Sequence, residues 1–412
     1  MADFAIAGGG IAGLVLARRL ALGGRSVTLH EASDQLGGTV GQHRVGDLDL
    51  DSGAESFAVY GGVVAALAVD LGLETEAPAT SGAWLLPPTG GARPLPATGV
   101  FGIPGHPLAA DVRAVLGLGG SLRAAVDAVL PAKPLAVDAT IGALVRERMG
   151  RRALERLVAP VVHGVYSLDP NDLAVDTAVP ALRGALTREG SLAAAVRSLR
   201  AEVPAGSAVA GIRGGMHQLV VALTRELAHL GVDVRLGDTV DLAGTGLIVA
   251  APFAPEGRRV TLVTLVVDVP ELDSAPRGTG VLVASGATGV LARALTHSTA
   301  KWGWLRELAA GRHVLRLSYD DGALPHGALP HGDLRSDLRT DLCEIAVADA
   351  GVLLGVPIAA TSVLDFDTVE WTRPRHTQAP PGVTAVGESV AGSGLARIIA
   401  HADRVAEVLL AD

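Results

Sequence analysis

A glycine-rich turn near the start of the chain restricts the fold more than any other feature. Phe4–Ala7 is a short apolar run that predicts a strand, and Ile11–Leu22 has apolar residues at helical spacing. Between them, Gly8 permits a tight turn, Gly10 leaves room for a pyrophosphate, and Gly13 lets helix and strand pack closely. The first N–H groups of the helix attract phosphate oxygens. The segment therefore predicts a dinucleotide-binding βαβ unit.

The second strand of this unit is predicted over Ser26–His30, with Glu31 at its end. A carboxylate at this position can accept hydrogen bonds from ribose hydroxyls. Arg18 and Arg19 are predicted to lie on the outer side of the intervening helix. The turn, the helix N-terminus and Glu31 together predict the nucleotide half of a cofactor site.

A second glycine turn favours FAD over NAD. Gly37 and Gly38 follow Glu31 after one short loop, and they provide room for a longer cofactor. Thr39 stands where flavoproteins of this type usually have a basic residue, so one phosphate or flavin contact is missing or comes from elsewhere. Gly53–Glu55, after a hairpin-like stretch, is predicted to place backbone against the flavin.

The end of the chain predicts another contact with the flavin. A strand near Val383–Val386 leads to Gly387 and Glu388, and Gly394 precedes a helix over about Leu395–Leu410. A helix N-terminus there stabilises negative charge on a reduced flavin ring. The predicted FAD-binding residues are Gly8, Gly10, Ile11, Ala12, Gly13, Glu31, Ala32, Gly37, Gly38, Gly53, Ala54, Glu55, Trp371, Gly387, Glu388, Gly394 and Leu395.

Composition excludes several other functions. The 412 residues carry a net charge of −9 and only 3% aromatic residues, which disfavours nucleic-acid binding. Cys343 is the single cysteine, so no disulfide forms within the chain and a cytoplasmic location is expected. No apolar run reaches the length of a transmembrane helix, although peripheral contact with a membrane stays open. His326 and His331 in the repeated loop 322–332 lack a third partner, so no metal site is expected.

The remaining pattern predicts an α/β fold with three lobes. A discontinuous FAD/NAD(P)-binding Rossmann-like domain is expected over 1–86, 206–259 and 365–412. Residues 87–205 are expected to form a loop and a helical insert, cut into short helices by prolines that include Pro160. Residues 260–364 are expected to form a mixed-sheet substrate domain. The helix over Gly214–Leu230 opens at a glycine pair, next to Arg213, which could approach a phosphate or brace the loop.

Seven phrases resemble the oxygen-dependent protoporphyrinogen/coproporphyrinogen oxidase family. The more diagnostic ones are APVVHGVYSLDP at 159–170 and THSTAKWGWL at 296–305. The others are GGGIAGLVLARRL, EASDQLGG, GAESF, GIRGGMHQLVVAL and GESVAGSGLARIIAHA. The resemblance covers most of the chain, but Gly237–Val260 is shorter than the family pattern.

The resemblance implies an enzyme of heme biosynthesis that oxidises a porphyrinogen. Bound FAD takes up hydride equivalents, O₂ reoxidises the flavin, and H₂O₂ is released. The high-glycine, high-alanine, lysine-poor composition suggests a GC-rich bacterial source. For such a source the resemblance implies the coproporphyrinogen III oxidase type rather than the protoporphyrinogen IX type. Handover of the product to a ferrochelatase and attachment at the inner face of the membrane are compatible with this assignment.

Residues on the substrate side are predicted from the same resemblance. Lys301 is expected near flavin N5, where a cation favours hydride arrival. Phe101, His163, Gly164 and Tyr166 are expected to line the substrate pocket, and Gly164 leaves room for the macrocycle. His163 and Tyr166 could instead serve only in packing between helices, and Lys301 could be a surface lysine in a strand-to-helix turn. Two other functions stay open: a related amine oxidase or desaturase, and a non-catalytic porphyrin carrier.

Overall fold

The computed structural model describes residues 3–59, 61–131, 133–166, 168–202, 209–242, 246–253, 257–324, 336–374 and 377–411. The strands in these residues are β1 Phe4–Ala7, β2 Val27–His30, β3 Gln42–Val45, β4 Leu48–Asp51, β5 Phe57–Ala58, β6 Thr75–Glu76, β7 Trp84–Leu86, β8 Arg93–Pro94, β9 Gly99–Val100, β10 Ile103–Pro104, β11 Val209–Ile212, β12 Asp233–Arg235, β13 Leu247–Val249, β14 Gly257–Val267, β15 Gly280–Val283, β16 Ala294–His297, β17 His313–Asp320 and β18 Val363–Pro374.

The α-helices are α1 Ile11–Leu22, α2 Val63–Asp70, α3 Ala110–Ala125, α4 Ile141–Met149, α5 Arg151–Ala153, α6 Ala159–Tyr166, α7 Val175–Ala178, α8 Leu182–Glu189, α9 Leu192–Glu202, α10 His217–His229, α11 Ser298–Lys301, α12 Gly303–Ala309, α13 Ser336–Leu354, α14 Glu388–Ala391 and α15 Leu395–Ala411. Short 3₁₀ turns cover Gly38–Val40, Val126–Val129, Pro270–Ser274 and Ala360–Ser362, and a π-helical turn covers Leu154–Val158.

The chain divides into two compact units, each assembled from separate segments. The first unit contains Met1–Pro78, Ser207–Leu262 and Asp367–Asp412. The second contains Ala79–Gly206 and Val263–Phe366. The later boundaries fall within β14 and β18, so these two long strands each contribute residues to both units.

The first unit is built on a parallel sheet with the strand order β12-β2-β1-β13. The helices α10 and α15 both pack on α1, and the apolar side chains between them form one core. The predicted bounds of β1 and α1 are confirmed, because the apolar pattern and Gly23 at the helix C-terminus are local signals. An antiparallel β3–β4 hairpin and the small sheet β5-β11-β6 complete the unit.

Arg18 departs from its predicted exposed position. Its side chain is buried in α1 and its Nε donates to the Glu226 carboxylate of α10 over 2.6 Å. Arg19 is more exposed, as predicted, and pairs with Asp403 of α15. Burial of an arginine requires a charged partner, and that partner is 208 residues away in sequence, where no local pattern could reveal it.

The second unit combines a mixed sheet with a group of helices. The sheet has the strand order β18-β14-β17-β16-β15-β7-β8, with β15 parallel to β7 and antiparallel to β16. The helices α3 to α9 surround a separate apolar core, and they lie within residues 87–205, where the sequence predicts helices. The helix α13 packs on β15 and β17 over a third core.

Pro160 does not cut the helical segment as predicted. It lies in the first turn of α6, directly after the π-helical turn, and helical backbone continues from Arg151 to Tyr166. Proline lacks an N–H donor and is tolerated where the regular α-helical ladder is already interrupted.

Two other segments differ from the prediction or cannot be compared with it. The predicted strand over Val383–Val386 is reduced to an isolated parallel bridge between Val249 and Ala385. The loop 322–332 lies largely outside the described residues, and His326 and His331 with it. Among the helices that the structure describes, none is long and apolar enough to cross a membrane.

Candidate flavin site

Close backbone packing explains two of the three glycines in the first turn. A Cβ atom at Gly13 would lie 1.9 Å from the Gly8 carbonyl oxygen, and one at Gly8 would lie 2.8 Å from the Ala250 backbone. Gly8 also has a φ of +113°, which favours glycine. These two positions therefore need glycine for the fold itself.

Gly10 is different, because space is open in front of it. It has a φ of −70°, and no atom lies within 4 Å of the position that a Cβ would take. The first described hydrogen bond at this end of α1 runs from the Leu14 N–H to the Gly10 carbonyl, so the preceding N–H groups, including those of Ile11 and Ala12, belong to the open helix N-terminus. Open space beside helix N–H groups suits a phosphate.

Glu31 lies next to this turn at the end of β2. Its Oε2 accepts the Gly9 N–H at 2.6 Å, and its Oε1 accepts the N–H and the hydroxyl of Ser33 at 2.9 and 2.8 Å. Oε2 accepts one hydrogen bond and has a second lone pair, so Glu31 can also accept a hydroxyl group there. Ala32 follows it and is exposed.

The glycine doublet lies against the first turn. The Gly37 N–H donates to the Gly9 carbonyl at 2.9 Å, and Gly37 forms an isolated bridge with Gly10. Gly37 and Gly38 have φ values of +113° and +55°. Both predicted glycine turns therefore meet at the N-terminus of α1.

Thr39 connects the doublet to the third predicted segment. Its carbonyl accepts the Ala54 N–H at 2.9 Å, and it lies so close to Gly53 that a Cβ there would be 2.2 Å away. The Trp371 indole N–H donates to the Ser52 carbonyl at 3.0 Å. At the position where related flavoproteins usually have a basic side chain, Thr39 thus holds Ala54 through its backbone carbonyl. Glu55 follows in the same loop and is half-buried.

The C-terminal segment reaches the same region. A Cβ at Gly387 would lie 3.6 Å from Ala12 of α1, and Gly387 has a φ of +109°. Glu388 follows at the start of α14, and its Oε1 accepts Arg373 Nη1 at 3.0 Å and the Ser393 hydroxyl at 2.6 Å. Gly394 directly precedes Leu395, the first residue of α15, and α15 packs on α1. These groups fit a dinucleotide. The open space at Gly10 and the helix N–H groups suit a pyrophosphate, and the carboxylates of Glu31 and Glu388 suit hydroxyl groups.

Sequence reasoning missed a buried pair in this unit. His217 Nδ1 lies 2.8 Å from Asp51 Oδ1, and both side chains are almost fully buried. The two residues are 166 positions apart, so no local pattern indicates their contact. Arg213 is placed differently, because its Nη1 lies 3.2 Å from Glu76 Oε2 and its N–H donates to the Glu74 carbonyl. These contacts support the bracing alternative for Arg213.

The predicted pocket residues belong to the second unit. Phe101 forms the turn between β9 and β10 with a φ of +51°, and it packs against the helical core. The adjacent residue has to be glycine. A Cβ at Gly102 would lie 2.2 Å from the Leu157 carbonyl oxygen of the π-helical turn. The hairpin β9–β10 therefore packs against the π-helical turn. That turn leads directly into α6, which carries His163 and Gly164.

Gly164 lies against β15 of the mixed sheet. A Cβ there would lie 2.5 Å from Leu282 Cδ2, the far end of a flexible side chain. That the glycine leaves room for a macrocycle stays a prediction. His163 is half-buried. Tyr166 ends α6, and its side chain lies outside the described residues.

Lys301 ends the one-turn helix α11 in the second unit. Its Nζ lies 4.9 Å from the ring centroid of Trp302, which is fully buried. His297 precedes α11, and burial, together with His313 and Arg306, lowers the pKa of His297 to about 3. In the described residues no group of three His, Cys, Asp or Glu side chains could hold a metal ion.

Relatives of known name match the chain along its whole length. It is 29% identical to a coproporphyrinogen III oxidase of Mycobacterium leprae, covering 100% of this chain and 98% of that protein. It is also 29% identical to a coproporphyrinogen III oxidase of Mycobacterium tuberculosis, covering 98% and 96%. A solved structure of a candidate protoporphyrinogen oxidase from Exiguobacterium has a TM-score of 0.77 at 21% identity, covering 99% and 98%. That structure shares the α/β fold.

The family model for flavin-containing amine oxidoreductases matches residues 11–242. The matched range includes α1, Glu31, the glycine doublet and the buried Asp51–His217 pair. The enzyme is therefore an oxidoreductase and its cofactor is FAD. Because the match spans more than half of the 412 residues, the chain belongs to the family of flavin-containing amine oxidoreductases.

Proposed function

We propose that the protein is an FAD-dependent oxidase that converts coproporphyrinogen III to coproporphyrin III in heme biosynthesis. Protoporphyrinogen IX is the second substrate to test, O₂ is the electron acceptor, and H₂O₂ is the product. The observation that carries the proposal is the full-length similarity to proteins named coproporphyrinogen III oxidase. The geometry of the first unit supports this proposal, because its glycine turns and helix N-terminus fit a dinucleotide cofactor.

In this proposal the first unit holds FAD with groups from several separate segments. The N–H groups at the start of α1 bind the pyrophosphate beside Gly10, and Glu31 binds the ribose of the adenosine. Gly37–Gly38 and Gly53–Glu55 give backbone contacts, with Trp371 behind Gly53. Bound FAD supplies hydride uptake and electron transfer to O₂.

The C-terminal segment is proposed to orient the flavin end of the cofactor. Arg373 and Ser393 hold the Glu388 carboxylate on one oxygen, which leaves its other oxygen to accept a hydroxyl of the cofactor. Gly387 allows close approach to α1, and Gly394–Leu395 present the N-terminus of α15. The partial positive charge of that helix end favours an anionic ring.

The second unit is proposed to bind the substrate. Lys301 supplies a cation near flavin N5, where it stabilises negative charge that arises as hydride is transferred. Its ammonium group lies close to the Trp302 ring, a contact that limits its rotamers. Phe101, His163, Gly164 and Tyr166 are the proposed pocket residues, with Phe101 held by the strained turn between β9 and β10.

The proposed location follows from the same function. The enzyme works in the cytoplasm with peripheral contact at the inner face of the membrane, and it hands its product to a ferrochelatase. The cytoplasmic location is supported by the single cysteine, and the handover rests on the assignment of the substrate. A pull-down with the ferrochelatase of the same organism and flotation with vesicles test them separately.

Turnover under air with several substrates tests the proposal. Coproporphyrinogen III, protoporphyrinogen IX and a panel of amines are supplied to the FAD-loaded protein, with porphyrin fluorescence and H₂O₂ as readouts. We expect porphyrin and peroxide to form together with coproporphyrinogen III, above the autoxidation seen with FAD-free protein. Turnover of an amine without turnover of either porphyrinogen supports an amine oxidase instead. Tight porphyrin binding by a protein that takes up no FAD supports the carrier.

A further inference from the structure

Asp51 ends β4 and its carboxylate accepts three N–H groups. Oδ2 accepts the Met216 N–H at 2.9 Å, and Oδ1 accepts the His217 N–H at 2.9 Å and lies 2.8 Å from His217 Nδ1. The side chains of Asp51 and His217 are only 6% and 3% exposed. A buried carboxylate with three donors is fixed in position, since each lost donor would leave an unsatisfied acceptor.

The contacts of His217 fix which ring nitrogen donates. Asp51 Oδ1 is the acceptor, so Nδ1 carries a proton, and Nε2 lies 3.0 Å from the Gln218 side-chain nitrogen, whose N–H it accepts. Gly215 makes room for the pair, because a Cβ there would lie 2.6 Å from the imidazole ring. The glycine pair that precedes α10 thus has a role besides helix initiation.

The residues that follow Asp51 are held one by one. The Ser52 N–H donates to the Gly41 carbonyl at 3.0 Å, and the Ser52 carbonyl accepts the Trp371 indole N–H. The Ala54 N–H donates to the Thr39 carbonyl at 2.9 Å. The backbone of 51–54 is therefore attached to α10, to β18 and to the residues that follow the glycine doublet.

We propose that Asp51 and His217 form a positioning pair, which holds 52–55 against Thr39 so that two segments of the flavin site are in place before the cofactor binds. The inference rests on the proposed contact between 53–55 and FAD. Neither residue of the pair needs to touch the cofactor. Preformed sites bind more tightly because less ordering accompanies binding.

A simple helix-capping role is the competing explanation. The helix α10 has a second anchor, since Glu226 on α10 pairs with the buried Arg18 of α1. Weakening that anchor loosens α10 without changing any described contact of 51–54. Glu226→Gln is therefore the matched control for a general loss of helix packing.

Two nearly isosteric substitutions separate hydrogen bonding from packing. His217→Asn places an amide N–H where Nδ1 donates, whereas His217→Leu fills similar space without a donor. Two readouts are used: the rate of FAD release from the loaded protein, and hydrogen exchange of the Ser52 and Ala54 amides in FAD-free protein. If His217→Leu does not fold, His217→Gln replaces it, since its amide reaches the Nε2 position instead.

We expect His217→Leu to release FAD about tenfold faster, and its Ser52 and Ala54 amides to exchange about tenfold faster. His217→Asn stays within about threefold of the unchanged protein in both readouts. Glu226→Gln lowers the free energy of unfolding, because Arg18 stays buried without its charged partner, but it stays within about threefold in the rate of FAD release, and its Ser52 and Ala54 amides lose no more protection than the other amides of the first unit. The proposal is overturned if the Asn and Leu variants behave alike, or if the two amides are equally protected in all variants. If no form of the protein binds FAD, the proposed function fails, and the exchange data alone still decide whether the pair positions this segment.

Discussion

At the scale of single residues, the glycines of the first turn have different tasks. Gly13 and Gly8 are required by backbone contacts inside the fold. Gly10 has an ordinary φ and faces open space, so the fold alone does not require glycine there. We propose that its absent side chain leaves room for the pyrophosphate of the cofactor.

Alanine substitutions should separate these tasks. Gly10→Ala should change the free energy of unfolding of the FAD-free protein by less than about 0.5 kcal/mol. It should weaken FAD binding at least about tenfold, because the methyl group occupies the phosphate space. Gly13→Ala should destabilise the FAD-free protein by about 1–3 kcal/mol through overpacking. Urea unfolding and FAD titration measure both; equal affinity of Gly10→Ala and the unchanged protein would contradict the proposed phosphate position.

His297 gives a pH-dependent prediction. Its folded pKa of about 3 lies below the ordinary value of 6.5, so the unfolded chain binds this proton first as the pH falls. The free energy of unfolding should therefore decrease from pH 6.5 towards pH 3, by about 1.4 kcal/mol per pH unit for this one site. Burial also lowers the pKa of His313, so this histidine changes the free energy of unfolding with pH in the same direction.

The difference between matched variants isolates this contribution. His297→Gln should flatten the dependence of unfolding free energy on pH between pH 4 and 6 by about one proton. His229→Gln, at an exposed position on α10, should leave the slope unchanged. Urea unfolding at several pH values provides the slopes. Identical slopes for His297→Gln and the unchanged protein would show that this imidazole is not held neutral by burial.

At the scale of elements, one carboxylate joins three parts of the helical core. Asp127 is completely buried; it accepts Arg148 Nε, the Ser191 hydroxyl at 2.9 Å and the Ala193 N–H at 2.7 Å. These partners lie on α4 and at the start of α9. The 3₁₀ turn that carries Asp127, α4 and α9 bury apolar residues against one another. The hydrogen bonds of this carboxylate fix their relative positions.

Asp127→Asn should destabilise the second unit by about 3–5 kcal/mol, because Arg148 stays buried without its charged partner. Asp176→Asn, which removes the exposed partner of Arg183, should leave the unfolding midpoint almost unchanged. Thermal unfolding followed by circular dichroism compares the two. Similar midpoints for both variants would mean that Asp127 does not hold these helices together.

Local signals account for the elements that the sequence predicted well. The strand β1, the helix α1 and the hairpin before Gly53 follow from periodicity and turn residues close in sequence. Burial of Arg18, the Asp51–His217 pair and the contact of Gly164 with Leu282 depend on residues far away in the chain. Such contacts leave no periodic pattern, so sequence reasoning gave the glycine turns of the site but not what holds them in place.

At the scale of the whole molecule, each unit is assembled from segments that are far apart in the chain. The first unit is completed only by the last segment, where α15 packs on α1 and Asp403 pairs with Arg19. The second unit is formed from the intervening residues. The proposed flavin-binding unit is therefore assembled from segments far apart in the chain, and the match to the mycobacterial coproporphyrinogen III oxidases covers all of these segments.

The central claim is that electrons pass from a porphyrinogen to the bound flavin. The most direct test mixes coproporphyrinogen III, in the absence of oxygen, with at least three equivalents of FAD-loaded protein, because the six-electron oxidation to the porphyrin reduces three flavins. We expect the visible flavin band to bleach as coproporphyrin fluorescence rises, and to return when oxygen is admitted. A flavin band that persists with both porphyrinogens but bleaches with an amine would rule out the proposed function.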